Sequence, residues 1–95
     1  MSFNGQRYLT RGVQSEIPFE LQMFMWQLIN ELPEPRDYLQ VFRLTAVDNN
    51  QQLIHEQEEP NYHKEYFLNI CSPVTAQVYV IDDGTHSTML LAEEY

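Results

Sequence analysis

Ile17-Pro18-Phe19-Glu20-Leu21-Gln22-Met23-Phe24-Met25-Trp26-Gln27-Leu28-Ile29-Asn30-Glu31-Leu32-Pro33 is the stretch that decides the fold. Its apolar residues recur at the helical period, and the spacing predicts a helix over residues 18–32. Pro18 suits the first helical position, where an N–H would have no partner anyway. Glu20 falls in the first turn, where the positive end of the helix dipole favours a carboxylate. Pro33 and Pro35 end the helix. On a helical wheel Ile17, Leu21, Phe24, Met25, Leu28 and Leu32 form one stripe, opposed by Glu20, Gln27 and Glu31. Phe19, Met23 and Trp26 form a second apolar group at i, i+4, i+7. A surface helix needs only one stripe. The second group therefore requires its own cover, either from within the chain (Phe3, Tyr8, Tyr62 or Tyr95) or from a partner.

On either side of this helix the period changes from 3.6 to 2. Residues 6–12 read as a short strand or extended arm that Gly12 breaks. Residues 38–47 are a strand, Asp48-Asn49-Asn50-Gln51 a turn, and residues 52–58 a returning strand on which Leu53, His55 and Gln57 share a face. Residues 65–71 alternate Tyr66, Leu68 and Ile70 against Phe67, Asn69 and Cys71. Residues 74–81 place Val74, Ala76, Val78 and Val80 inward. Asp82-Asp83-Gly84 is a tight turn, and Thr88 to Ala92 form a last strand. The expectation is an α+β fold: one amphipathic helix packed on a mostly antiparallel sheet of about five strands. A single domain covers residues 1–95, with an N-terminal arm at 1–12, the helix at 18–32 and the antiparallel strands at 38–92.

The composition supports one core and narrows the partners. The chain has 95 residues, 43% of them hydrophobic, so a core can form without metal or disulfide staples. Net charge is −9, from 14 acidic and 5 basic residues, and the basic residues form no run. Direct nucleic-acid binding, which needs a basic footprint, is not expected, nor is attachment to an anionic membrane. The apolar stretch at 21–32 is too short and too polar to span a bilayer. The only cysteine, Cys71, cannot form an internal disulfide. With no apolar leader at Met1 to Arg7, the expected location is cytoplasmic.

No constellation spells out a catalytic site, so the expectation is a non-enzyme without cofactor. Asp82, Asp83 and His86 are the nearest thing to a metal set, yet an ordinary hairpin turn accounts for the same residues. His86-Ser87-Thr88 puts imidazole beside hydroxyl, but a nucleophile–base pair is made by geometry and not by adjacency. His55 and His63 flank Glu56-Gln57-Glu58-Glu59, a possible cation site or simply a solvated strand end and loop. Cys71 lacks a neighbouring base or cation and reads as a small buried hydrophobe. The three glycines, Gly5, Gly12 and Gly84, are not at phosphate-loop spacing.

Several segments together carry a family likeness. They are Arg7-Tyr8-Leu9-Thr10-Arg11-Gly12, Ile17-Pro18 with Leu21-Gln22-Met23-Phe24-Met25-Trp26, Asp37-Tyr38-Leu39-Gln40-Val41-Phe42, and the tail from Val80 to Tyr95. The chain resembles the domain of unknown function 960 family, small proteins of Gram-positive bacteria and of their phages and mobile elements. The resemblance implies a stand-alone bacterial domain and supplies no catalytic residue.

Three functional expectations follow. The first is a protein-binding accessory module, in its simplest version a homodimer, with Phe19, Met23, Trp26, Arg7 and Arg11 as the partner-binding residues. The second is an acidic inhibitor that mimics nucleic-acid phosphates. The third is a metal-assisted enzyme centred on Asp82, Asp83 and His86.

Overall fold

Alternating side chains need two faces, and the strands supply them in a single sheet. In the computed structural model, which describes residue 3 and residues 5–95, six strands are present: β1 (Gln6–Leu9), β2 (Leu39–Val47), β3 (Asn50–Gln57), β4 (Tyr62–Leu68), β5 (Ala76–Asp82) and β6 (His86–Leu91). Met1, Ser2 and Asn4, part of the expected arm, lie outside the described residues. The order across the sheet is β1-β6-β5-β2-β3-β4, with every pair antiparallel except β1 with β6. Two helices, α1 (Arg11–Glu16) and α2 (Phe19–Glu31), pack on one face, and a short 3₁₀ turn at Ala92–Glu94 follows β6.

The α2 helix lays its predicted stripe on the sheet. Leu21, Met25 and Leu28 of that stripe are buried, together with Ile29, which the stripe did not include, in one cluster with Phe42 and Leu44 of β2, Leu53 of β3, Val78 and Val80 of β5, and Met89 and Leu91 of β6; Phe24 is only partly buried against it. Burying one such side chain contributes roughly 1.5–3 kcal/mol, and truncating Ile29 to alanine would cost about 2–5 kcal/mol through the cavity left behind. Leu39, Val41, Arg43, Tyr79 and Ile81 alternate onto the opposite face, away from α1 and α2.

Several local expectations are revised. Residues 6–12 are not all extended: the strand stops at Leu9 and α1 begins at Arg11. Thr10 caps this helix, its Oγ1 accepting from Val13 N–H at 3.3 Å. Gly12 admits a close neighbour rather than breaking a strand. A Cβ there would lie 2.7 Å from the Glu94 carboxylate, which instead accepts from Gly12 N–H at 3.2 Å. The β4 strand starts three residues earlier than expected, because Tyr62 pairs with Gln57 directly across the 58–61 turn. Cys71 is exposed, not buried, since β4 has ended at Leu68 and alternation no longer governs it. Asp48 (φ 55°) and Gly84 (φ 102°) take the left-handed conformations that their turns require.

Candidate functional site

The open face of the sheet has an apolar centre. Register places Val41, Tyr79 and Leu90 side by side in one row, and Leu39, Ile81, Thr88 and Tyr8 in the next. The Tyr95 ring stands edge-on against Tyr79 at 5.7 Å and shields that end of the first row. The other end, at Leu39 and Val41, opens into a groove of about 930 Å³ that Tyr38 and Tyr62 also line, the Tyr62 ring standing edge-on to His55 at 5.2 Å. Asp37, Glu56, Glu58, Glu59 and Arg43 complete the charged part of its lining.

The groove walls are held by a polar chain that runs from the surface at Glu59 to the buried His55. Asp37 Oδ1 accepts from Leu39 N–H at 3.2 Å and Oδ2 from Glu59 N–H at 3.0 Å, which ties the loop before β2 to the loop after β3. Asp37 N–H donates to Gln57 Oε1 at 3.0 Å. The Gln40 amide nitrogen donates to the Asp37 carbonyl at 2.9 Å and to Gln57 Oε1 at 2.7 Å. Because a main-chain carbonyl can only accept, the Gln40 amide has one orientation, and its oxygen faces His55 Nε2 at 2.6 Å. His55 therefore carries its proton on Nε2. Its Nδ1 has no partner among the described residues, and the ring stacks on Phe42 at 4.4 Å. Burial lowers the His55 pKa to about 4. His55 is thus a core residue, not part of a solvated strand end or cation site: on β3 it alternates with Leu53 and Gln57 onto the helix-covered face. His63, on the exposed face of β4, instead reaches Glu56 at 3.0 Å. Arg43 donates to the other Glu56 oxygen at 2.7 Å, and these contacts, Arg43's foremost, hold Glu56 below the usual carboxylate range.

The proposed partner-binding residues separate. Phe19 and Met23 are exposed, at 72% and 52%, but Trp26 is only 7% exposed. It belongs to the core cluster, and a cation also lies on its ring: the Arg7 guanidinium is 4.6 Å over the indole, donates to the Phe3 carbonyl at 3.3 Å and is hydrogen-bonded to Asn30. Burial and the nearby Arg36 charge lower the Arg7 pKa. Arg7 and Trp26 are therefore joined to each other and not held out together for a partner. Arg11 is exposed, with no hydrogen bond or ion pair among the described residues.

Asp82, Asp83 and His86 do not converge. Asp82 faces the core, where its carboxylate accepts from Phe3 N–H at 3.1 Å and Gly84 N–H at 2.9 Å. Asp83 turns outward, accepts from the Thr85 and His86 backbone N–H groups and pairs with His86 Nε2 at 3.1 Å; those backbone bonds hold its pKa down. Ser87 points to the core and its Oγ is unpartnered, so it makes no pair with His86 on the other face. Among the described residues no group of three or more metal-ligating side chains comes together, and no helix is long and apolar enough to cross a membrane.

The sequence profile of the family described as "Staphylococcal protein of unknown function (DUF960)" matches residues 6–94. The chain belongs to this family. Comparison with curated proteins gave no match. Among solved structures the DUF960 chain is similar to "Crystal structure of the protein of unknown function from Enterococcus faecalis", with a TM-score of 0.86 and 23% sequence identity over 100% of this chain and 96% of that chain. At that identity the likeness shows the fold alone. The mixed sheet with helices on one side is thus a fold this DUF960 chain shares with a solved structure.

The groove was missed in the sequence because its residues come from three separate segments, at 37–43, 56–59 and 61–62. One signal could have found it: Leu39 and Val41 alternate with Gln40 and Phe42, so one apolar set had to face away from the helix.

Proposed function

We propose that the protein is a small, acidic, non-catalytic protein-binding module that engages its partner through the open face of the sheet. The single observation that carries this reading is the groove on that face, in which the half-buried Leu39 and Val41 lie beside the exposed Tyr38. Antiparallel sheets that leave one face to water normally alternate cleanly to polar residues there. This face does not. Apolar residues lining a groove with a polar rim are a recurrent mark of a protein contact. Phe19 and Met23 offer a second exposed spot on α2, flanked by the polar Glu20 and Gln27. The acidic residues lie on α1, α2, β3, β4 and both ends of the sheet, which argues against a phosphate mimic with its carboxylates aligned on one surface.

A photo-crosslinking amino acid placed at position 41, 23 or 27 tests the reading in a Gram-positive lysate and in the pure protein. A discrete product from position 41, absent from position 27, is expected. Products from position 23 alone would move the contact to α2, and identical smears from all three positions would refute a specific docking face.

A further inference from the structure

We propose that the groove takes a basic, extended segment of a partner protein, with lysine or arginine side chains on its carboxylates and apolar side chains between them on Leu39 and Val41. This inference rests on the protein-binding reading above and adds the chemistry of the partner.

Charge complementarity selects the occupant. Asp37, Glu56, Glu58 and Glu59 line the groove against one guanidinium, Arg43, which is already bound to Glu56 at 2.7 Å. The Glu58 and Glu59 carboxylates are exposed and make no hydrogen bond or ion pair among the described residues. Asp37 is fixed in place by two backbone N–H groups, so its charge is pre-positioned. Tyr38, 52% exposed at the groove, adds apolar surface beside these carboxylates, whereas the Tyr62 ring is turned to His55. A second copy of this chain would bring its own −9 charge to the contact, and a nucleic acid its phosphates; both are opposed here.

The shape selects an extended segment. Alternate β2 residues, Leu39, Val41 and Arg43, line the groove. Alternate side chains of a strand are spaced by about 6.5 Å, the same repeat that an extended peptide presents. Because β2 is paired on both sides, the segment lies on the face of the sheet and is held by side-chain contacts rather than by main-chain pairing.

The test uses three fluorescein-labelled nine-residue peptides: alternating arginine and valine, alternating glutamate and valine, and alternating arginine and serine. Binding is read by anisotropy and by backbone amide shifts of the ¹⁵N-labelled protein. The arginine–valine peptide is expected to bind saturably, to shift the Leu39 and Val41 amides, and to bind more tightly than the arginine–serine peptide. Glu58→Gln/Glu59→Gln should weaken it roughly ten-fold, whereas Glu16→Gln/Glu20→Gln, which removes the same charge from the helical layer, should change it less than about two-fold. Equal weakening by both double variants, or shifts confined to other surfaces, would show that only net charge attracts the peptide and would overturn the inference. So would the absence of saturable binding. If the glutamate–valine peptide shifts Leu39 and Val41 while the arginine–valine peptide does not, the basic partner is refuted and the open-face reading stands. The position-41 crosslink decides that reading independently.

Discussion

Acidification should weaken this fold through His55 before most carboxylates respond. The ring is fully buried, and burial lowers its pKa from 6.5 to about 4. In the unfolded chain the imidazole keeps its ordinary affinity for protons. The unfolded state therefore binds more protons as the pH falls from 6.5 to 4, and stability declines across that window. Above pH 6.5 both states hold a neutral ring and the stability is complete; below pH 4 both are charged and the slope disappears. At roughly 1.4 kcal/mol per decade of proton affinity, the difference corresponds to about 3 kcal/mol. That is a large share of the roughly 5–15 kcal/mol that holds a domain together. Urea unfolding at pH 7, 6, 5 and 4.5 would compare the wild type with His55→Phe. The variant should start about 1–3 kcal/mol lower, because Gln40 Oε1 loses its donor. Its slope between pH 6.5 and 5 should nevertheless be much shallower. Glu56, Asp83 and Glu94, whose pKa values are also depressed, lose their contributions as the pH falls through the carboxylate range, and they do so in both proteins. His63 and His86 are likewise common to both. Parallel pH profiles over that interval would refute the assignment of His55 as a buried neutral ring.

Other perturbations probe the contacts described above. Arg7→Ala removes the lid on Trp26, so indole emission should move to longer wavelength, with a stability loss of about 1 kcal/mol in the same denaturation; an unshifted spectrum would mean that something else excludes water there. Gly5→Ala would place a Cβ 2.3 Å from the Thr85 carbonyl oxygen and should lower the unfolding free energy by about 1–3 kcal/mol, a change that calorimetry resolves. Thr10→Ala should cost about 0.5–2 kcal/mol by uncapping α1, with faster amide exchange confined at first to residues 11–16. Phe19→Ser combined with Met23→Ser should stay within about 0.5 kcal/mol of wild type at each site, since both side chains already face water.

The parts of the fold that were legible have strong local periodicity. The apolar stripe of α2 shows from Ile17 to Leu32, and the prolines mark its ends. The β2–β3 hairpin shows through alternation and through Asp48, whose side chain tolerates the left-handed turn. The α1 helix did not show, because six residues are less than two turns and its stabilising partner, Glu94, lies 84 positions from the Thr10 cap. His55 was split between two signals. Alternation with Leu53 placed it inward, while the neighbouring glutamates suggested water; tertiary packing followed the alternation. Of the second apolar flank of α2, expected to need cover, only Trp26 is covered, while Phe19 and Met23 lie exposed. The part of Arg7 in that cover was not legible, because an arginine whose planar head lies on indole does not read as an apolar lid. The metal set at Asp82 to His86 failed for a reason visible in the pleat: Asp82 and Asp83 point to opposite faces, so closeness in sequence keeps them apart in space.

The pairing of β1 with β6 has a consequence for synthesis. Gln6 aligns with His86, Phe3 is anchored on Asp82, and Thr10 and Gly12 bind Glu94. Segments 79 to 84 positions apart are thus knitted together. On a ribosome, the β2–β3–β4 meander can assemble while β1 waits without its neighbour, exposed to proteases and chaperones until β6 emerges. A clip at either end would undo the same seam, so loss of residues from 86 onward and loss of residues before 10 should leave similarly frayed molecules.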